Sequence, residues 1–73
     1  MHIYSTISFA KFLRKKRKEM KMSQREFGEK IGIHRTYVGA IERGEKNITL
    51  ETILRILSDL NLNFIIKENT PNI

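Results

Sequence analysis

A chain of 73 residues has room for one small domain with a marginal core, for which oligomerisation is a common supplement. Its 14 Lys and Arg against 8 acidic residues give a formal net charge of +6 and an isoelectric point near 10.0, a balance suited to nucleic acid or an anionic membrane surface. The absence of cysteine excludes a disulfide framework and thiolate zinc, and no apolar run approaches the roughly 20 residues that a membrane-spanning helix needs.

Met1 to Tyr4 are apolar and β-prone but too few to form an element alone. Ser5 is a candidate N-cap, with Tyr4 before it and Phe9 in the first turns as a hydrophobic staple. A first helix is predicted from about Thr6 to Met20, with Phe9, Leu13 and Met20 near one face and Phe12 beside it. Its other face carries Lys11, Arg14, Lys15 and Lys18, a basic ridge that reads either as solvated surface or as a phosphate contact. Phe9-Ala10 precedes the basic cluster, the reverse of the order in a signal peptide, so a soluble, cytoplasmic protein is expected.

Ser23 followed by Glu26 is a capping box, and Met22 and Phe27 frame it as a staple, so a second helix starts here. Phe27 and Ile31 share its inner face, Gly28 on the same side permits close approach of another helix, and Gly32 supplies a left-handed C-cap. In the next helix Val38 and Ile41 are the buried positions, Arg35 and Thr36 point outward, and Gly44 ends the element. His34 falls at its N-cap, where Ser, Thr, Asp or Asn is preferred. Two short helices joined through a tight glycine turn cannot be stable alone. They form the helix-turn-helix that sets its second helix in a DNA major groove.

After a polar RGEKN loop, Thr49 caps a fourth helix, with Ile48 and Ile53 as a third staple. Leu50, Ile53, Leu54, Leu57 and Leu60 form an apolar stripe expected to close the core. Asn61 breaks the pattern. Residues 62–67, LNFIIK, then alternate, with Leu62, Phe64 and Ile66 on one side, which predicts a short strand, or else a short fifth helix, used for dimerisation. The expected architecture is all-α: four helices plus that short C-terminal element, one domain over residues 1–68, and a flexible tail over 69–73.

Gln24, Gly28, Gly32, Val38 and Ile41, followed by Glu42-Arg43-Gly44, resemble the phage-repressor/Cro or Xre class of helix-turn-helix domain, over about Tyr4 to Leu60. Within the class, the run from Tyr4-Ser5 to Leu62-Asn63-Phe64 is most similar to HipB-type antitoxin repressors. The segment His34-Arg35-Thr36-Tyr37 also resembles the controller proteins of restriction-modification systems. The resemblance implies a homodimeric transcriptional regulator on a palindromic, double-stranded operator. An autorepressing antitoxin-type repressor, with a toxin kinase as a further partner, is the first reading, and a restriction-modification controller is the alternative. It also implies a partly buried ion pair between Arg17 and Glu42.

The expected DNA contacts follow from side-chain chemistry. Arg35 can pair bidentately with guanine O6 and N7, and Thr36 offers a hydroxyl to a base or phosphate and a methyl to thymine. Tyr37 either contacts a phosphate or thymine methyl or covers the edge of the core, and Gly39 and Ala40 are small enough to let the helix sit close to the groove. Gln24 and the amides around it open the second helix and can meet a phosphate. His34, Arg43, Lys46 and Asn47 complete the candidate interface.

Nothing suggests catalysis. The only histidines are His2 and His34, the only aspartate is Asp59, and no metal-ligand spacing or glycine-rich phosphate loop is present, so no catalytic residue, cofactor or metal is expected. A basic amphipathic protein of the membrane surface is the rival from another class, but it leaves Gln24, Gly28, Gly32 and the capping box without a purpose. A protein-interaction module is compatible with DNA binding.

Overall fold

The computed structural model describes residues 5–66 and 68. Its helices are α1 (Thr6–Glu19), α2 (Gln24–Ile31), α3 (Arg35–Glu42) and α4 (Leu50–Asp59). Each begins where a side chain takes up a backbone donor that the first turn leaves free. At α2 the capping box is complete: Ser23 Oγ accepts the Glu26 N–H at 3.1 Å, and Glu26 Oε1 accepts the Ser23 N–H at 2.9 Å. Thr49 Oγ1 accepts the Thr52 N–H at 3.2 Å and opens α4. At α1 a second reciprocal box joins Ser5 and Ser8, the Ser8 hydroxyl doing what Glu or Gln usually does.

The helices also stop sharply. Gly32 (φ 70°) turns the chain out of α2, and Lys21, Gly44 and Asn61 take left-handed φ values of 56°, 73° and 58° after α1, α3 and α4. After α3 the Gly44 N–H reaches the Ile41 carbonyl and the Glu45 N–H the Ala40 carbonyl, at 2.9 and 3.0 Å, the paired bonds of a Schellman stop. The same pairing follows α1 through Lys21 and Met22, and α4 through Asn61 and Leu62.

Such short connections fold the helices onto one core. Leu13, Phe27, Ile31, Val38, Ile41 and Ile56 are fully buried, with Phe9 beside them, and Phe12, Met20, Met22, Ile33, Tyr37, Ile48, Ile53 and Leu60 pack around the cluster. α3 lies across α2 and α1, while α4 closes over α2. What needs a glycine at position 28 is the turn rather than another helix. A Cβ there would overlap the Ile33 carbonyl oxygen, because the Ile33 N–H folds back to the Gly28 carbonyl at 2.8 Å.

Two expectations are corrected. The core face of α4 is Ile53, Ile56, Leu57 and Leu60, itself spaced i, i+3, i+4, i+7, while Leu50 and Leu54 stay 56% and 44% exposed. The stripe was therefore centred on the wrong flank of the helix. Residues 62–66 form neither a strand nor a fifth helix. Leu62 is half-buried behind α4, and Phe64, Ile65 and Ile66 are all exposed, so the expected two-sided alternation is absent in the single chain. A ladder needs a second strand, and the described residues contain none. Met1 to Tyr4, including the Tyr4 half of the first staple, Lys67 at the end of the expected strand, and the tail over 69–73 lie outside the described residues.

Candidate nucleic-acid interface

The start of α3 is held by its N-cap residue. His34 has extended backbone (φ −64°, ψ 145°), and its Nδ1 accepts the Thr36 N–H at 3.1 Å, so a ring nitrogen replaces the usual cap oxygen. The same Nδ1 stands 2.8 Å from Thr36 Oγ1. Arg35 and Thr36 are exposed on this first turn, and the Arg35 guanidinium makes no ion pair among the described residues. Tyr37 is half-buried against the core, and Lys46 Nζ sits 6.0 Å from its ring centroid, so the ring both covers the core edge and supports a cation at the rim.

The far end of α3 is locked. Glu42 receives Arg17 in a two-pronged pair, Nε to Oε2 at 2.7 Å and Nη2 to Oε1 at 3.0 Å, while Arg17 Nη1 donates to the Met22 carbonyl at 2.9 Å. The two side chains are only 13% and 4% exposed. The hydrogen bonds to Glu42 hold the Arg17 guanidinium even further toward its charged form, against the opposing effect of burial. Gln24 Nε2 adds a bond to Glu42 Oε1 at 3.3 Å. One carboxylate thus fastens α1, the start of α2 and the end of α3 together, which fixes how α3 is presented.

The remaining candidates divide by location. Gln24 stands at the first position of α2, but its amide is turned back onto Glu42 and lies across Gly39, where an added Cβ would sit 3.3 Å from its Oε1. Ala40 departs from the expected outward placement: it is 7% exposed and belongs to the core, so it offers a partner almost no side-chain surface. Arg43 is exposed and ion-paired with Glu45, while Lys46 and Asn47 are exposed in the loop that follows. On α1, Lys11, Arg14, Lys15 and Lys18 are exposed and form no ion pair among the described residues, whereas Lys16 pairs with Glu19. The described residues hold no cluster of His, Cys, Asp or Glu fit for a metal ion, and no helix among them is long and apolar enough to cross a membrane.

Sequence reasoning missed two parts of this geometry. The Gln24–Glu42 bond joins residues 18 apart and has no local signature. The His34–Thr36 contact was foreshadowed only by an odd residue at a cap.

Residues 13–65 match the family model described as helix-turn-helix. Control protein C.SmaI of Serratia marcescens is 45% identical over 40 residues, which are 55% of this chain and 48% of that protein, so the match spans about half the length of that relative. The restriction-modification controller protein C.AhdI from Aeromonas hydrophila is similar in structure, with a TM-score of 0.70 and 33% identity over 80% of this chain and 84% of that one. HipB, in its complex with an O4 20mer, gives a TM-score of 0.76 and 28% identity over 96% of this chain and 99% of that one. In fold, in turn chemistry and in sequence, the chain belongs to the Xre-type helix-turn-helix family of DNA-binding regulators, not to a family of enzymes.

Proposed function

We propose that the protein is a sequence-specific transcriptional regulator that binds an inverted-repeat DNA operator as a homodimer, with α3 of each copy in a major groove. The observation that carries this reading is the first turn of α3. Arg35 and Thr36 stand exposed there, on a short helix whose other end is clamped by Glu42, Arg17 and Gln24. Arg35 reads guanine, Thr36 the neighbouring base, and Lys46, Asn47, Arg43 and the amides at the start of α2 near Gln24 hold phosphates, with part of the α1 ridge extending the contact.

Dimerisation is assigned to residues 62–67, pairing with the same segment of a second copy. Exposed Phe64 and Ile66, with half-buried Leu62, supply an apolar surface that a monomer leaves in water, and pairing would satisfy the open backbone groups under two-fold symmetry. Half-sites would then lie about one DNA turn apart, roughly 34 Å.

The first reading is an autorepressing antitoxin-type repressor of the cytoplasm, supported by the 96% coverage against HipB. HipB is also found in a HipA-HipB-O2-O3 complex, and a toxin partner would accompany this reading. The second is a restriction-modification controller, favoured by the higher identities to C.SmaI and C.AhdI, 45% and 33%. Mobility shifts against inverted-repeat duplexes, run beside co-sedimentation with anionic liposomes, test the shared core of both. Retention of a specific duplex with strong salt dependence, about 0.9 per phosphate contact in the log–log slope, is the expected outcome. Liposome binding without duplex preference would contradict it.

A further inference from the structure

We propose that His34 is a specificity-determining residue that fixes the hydrogen-bonding polarity of Thr36, making its hydroxyl an acceptor only and so directing it to base amino groups. This rests on the reading that the first turn of α3 faces base edges.

One ring nitrogen, His34 Nδ1, faces both polar groups of Thr36. The Thr36 backbone N–H points at His34 Nδ1 from 3.1 Å, and that contact is a hydrogen bond only if Nδ1 is the unprotonated ring nitrogen, with the hydrogen on Nε2. Thr36 Oγ1 lies 2.8 Å from the same Nδ1. Two lone pairs facing each other at that distance would repel. The attractive arrangement has the hydroxyl hydrogen donated to Nδ1, which shares its lone pair between the Thr36 N–H and O–H.

The consequence falls on the outer side of Thr36. An unconstrained threonine hydroxyl rotates and serves as donor or acceptor, and can therefore contact any base. With its hydrogen committed to His34, it presents lone pairs alone. In the major groove these fit the N6 amino group of adenine and the N4 amino group of cytosine, and they reject the O6 of guanine and O4 of thymine, where acceptor meets acceptor. Arg35 beside it has the opposite character, offering donors only. The first turn of α3 thus carries one donor and one acceptor in fixed order.

The test is sequence selection from a randomised duplex library, with circular dichroism confirming that each variant folds. Wild type is expected to favour adenine or cytosine at one position by roughly 3- to 10-fold, the worth of one neutral hydrogen bond. Thr36→Val, which keeps the shape and loses the hydroxyl, removes that preference and leaves the Arg35 position unchanged. His34→Gly retains much of the N-cap's stability but frees the hydroxyl, and guanine or thymine then becomes acceptable at the Thr36 position. Long-range proton–nitrogen NMR should find Nδ1 unprotonated in the free protein. Unchanged selection in His34→Gly, a wild-type preference for thymine or guanine at that position, or a protonated Nδ1 would each overturn the proposal. A wild type that selects no sequence would instead defeat the DNA-reading assignment on which it rests.

Discussion

Replacing Arg17 with Ala strips the Glu42 carboxylate of both charge-assisted bonds and leaves it with the 3.3 Å contact from Gln24. Because that side chain is only 4% exposed, water cannot readily take the place of the guanidinium. Breaking one side of a fully buried pair costs about 3–5 kcal/mol, and this part-buried pair should cost about 2–3 kcal/mol. Small domains lose about 4–8 °C in melting temperature per kcal/mol, so the loss should be roughly 8–24 °C. Glu42→Ala should cost less, since Arg17 is 13% exposed and keeps its bond to the Met22 carbonyl. Urea denaturation of the two single variants and the double variant, at one protein concentration so that oligomerisation does not enter, gives the coupling directly. The pair should couple by more than about 1 kcal/mol. Single losses below that value, with costs that simply add, would refute the claim that this pair clamps α3.

Three further outcomes are expected. Gly28→Ala should destabilise by about 1–3 kcal/mol in denaturant melts, although alanine normally favours a helix, because its Cβ would meet the Ile33 carbonyl; a stabilised variant would show that the turn yields. The Ser23 N–H and hydroxyl hold the Glu26 carboxyl below the usual carboxylate range, so its contribution is present above the unfolded value and is lost as pH falls through the lower folded one. Following the Ser23 amide and the Glu26 carboxyl by NMR should therefore give an acid-shifted midpoint, and Glu26→Gln should flatten the response; an ordinary midpoint would contradict the capping box. Phe64→Asp should yield monomer in analytical ultracentrifugation and weaken operator binding, since each half-site then binds alone. A dimer that survives would move the interface to the exposed side of α4 around Leu50 and Leu54.

Local chemistry was legible in the sequence and long-range placement was less so. Ser23 with Glu26, Thr49, Gly32 and Asn61 announce helix ends within a few residues of themselves, and the structure places ends at each. Ser5 announces its helix in the same way, but Ser8 in the place of Glu or Gln and the left-handed Lys21 are residues with weak preferences for those roles, so they carried no comparable signal. In α4 nearly every apolar position is a leucine or isoleucine, and a band that wide does not reveal its centre; the packing against α2 chose Ile56 over Leu50. Ala40 was misread because a small residue suits both a buried face and a close groove contact. The C-terminal alternation forms no strand over residues 62–66, because a ladder needs a second strand and the described residues contain none. In the candidate interface, residue types pointed to Arg35 and Thr36, but only coordinates could reveal that Gln24 folds back on Glu42 and that His34 engages the Thr36 hydroxyl.

Whether the first turn of α3 reads base edges is decided by selection from a randomised duplex library with wild type and Arg35→Ala. Wild type should enrich a two-fold symmetric site containing a guanine in each half. Arg35→Ala should bind that site more weakly by about 1–3 kcal/mol and lose the guanine preference at that position alone. Lys15→Ala, by comparison, should weaken all duplexes alike and lower the salt slope by about 0.9 if its ammonium meets a phosphate. An Arg35→Ala protein that enriched the same site with the same guanine preference would contradict the assignment of α3 as the reading helix.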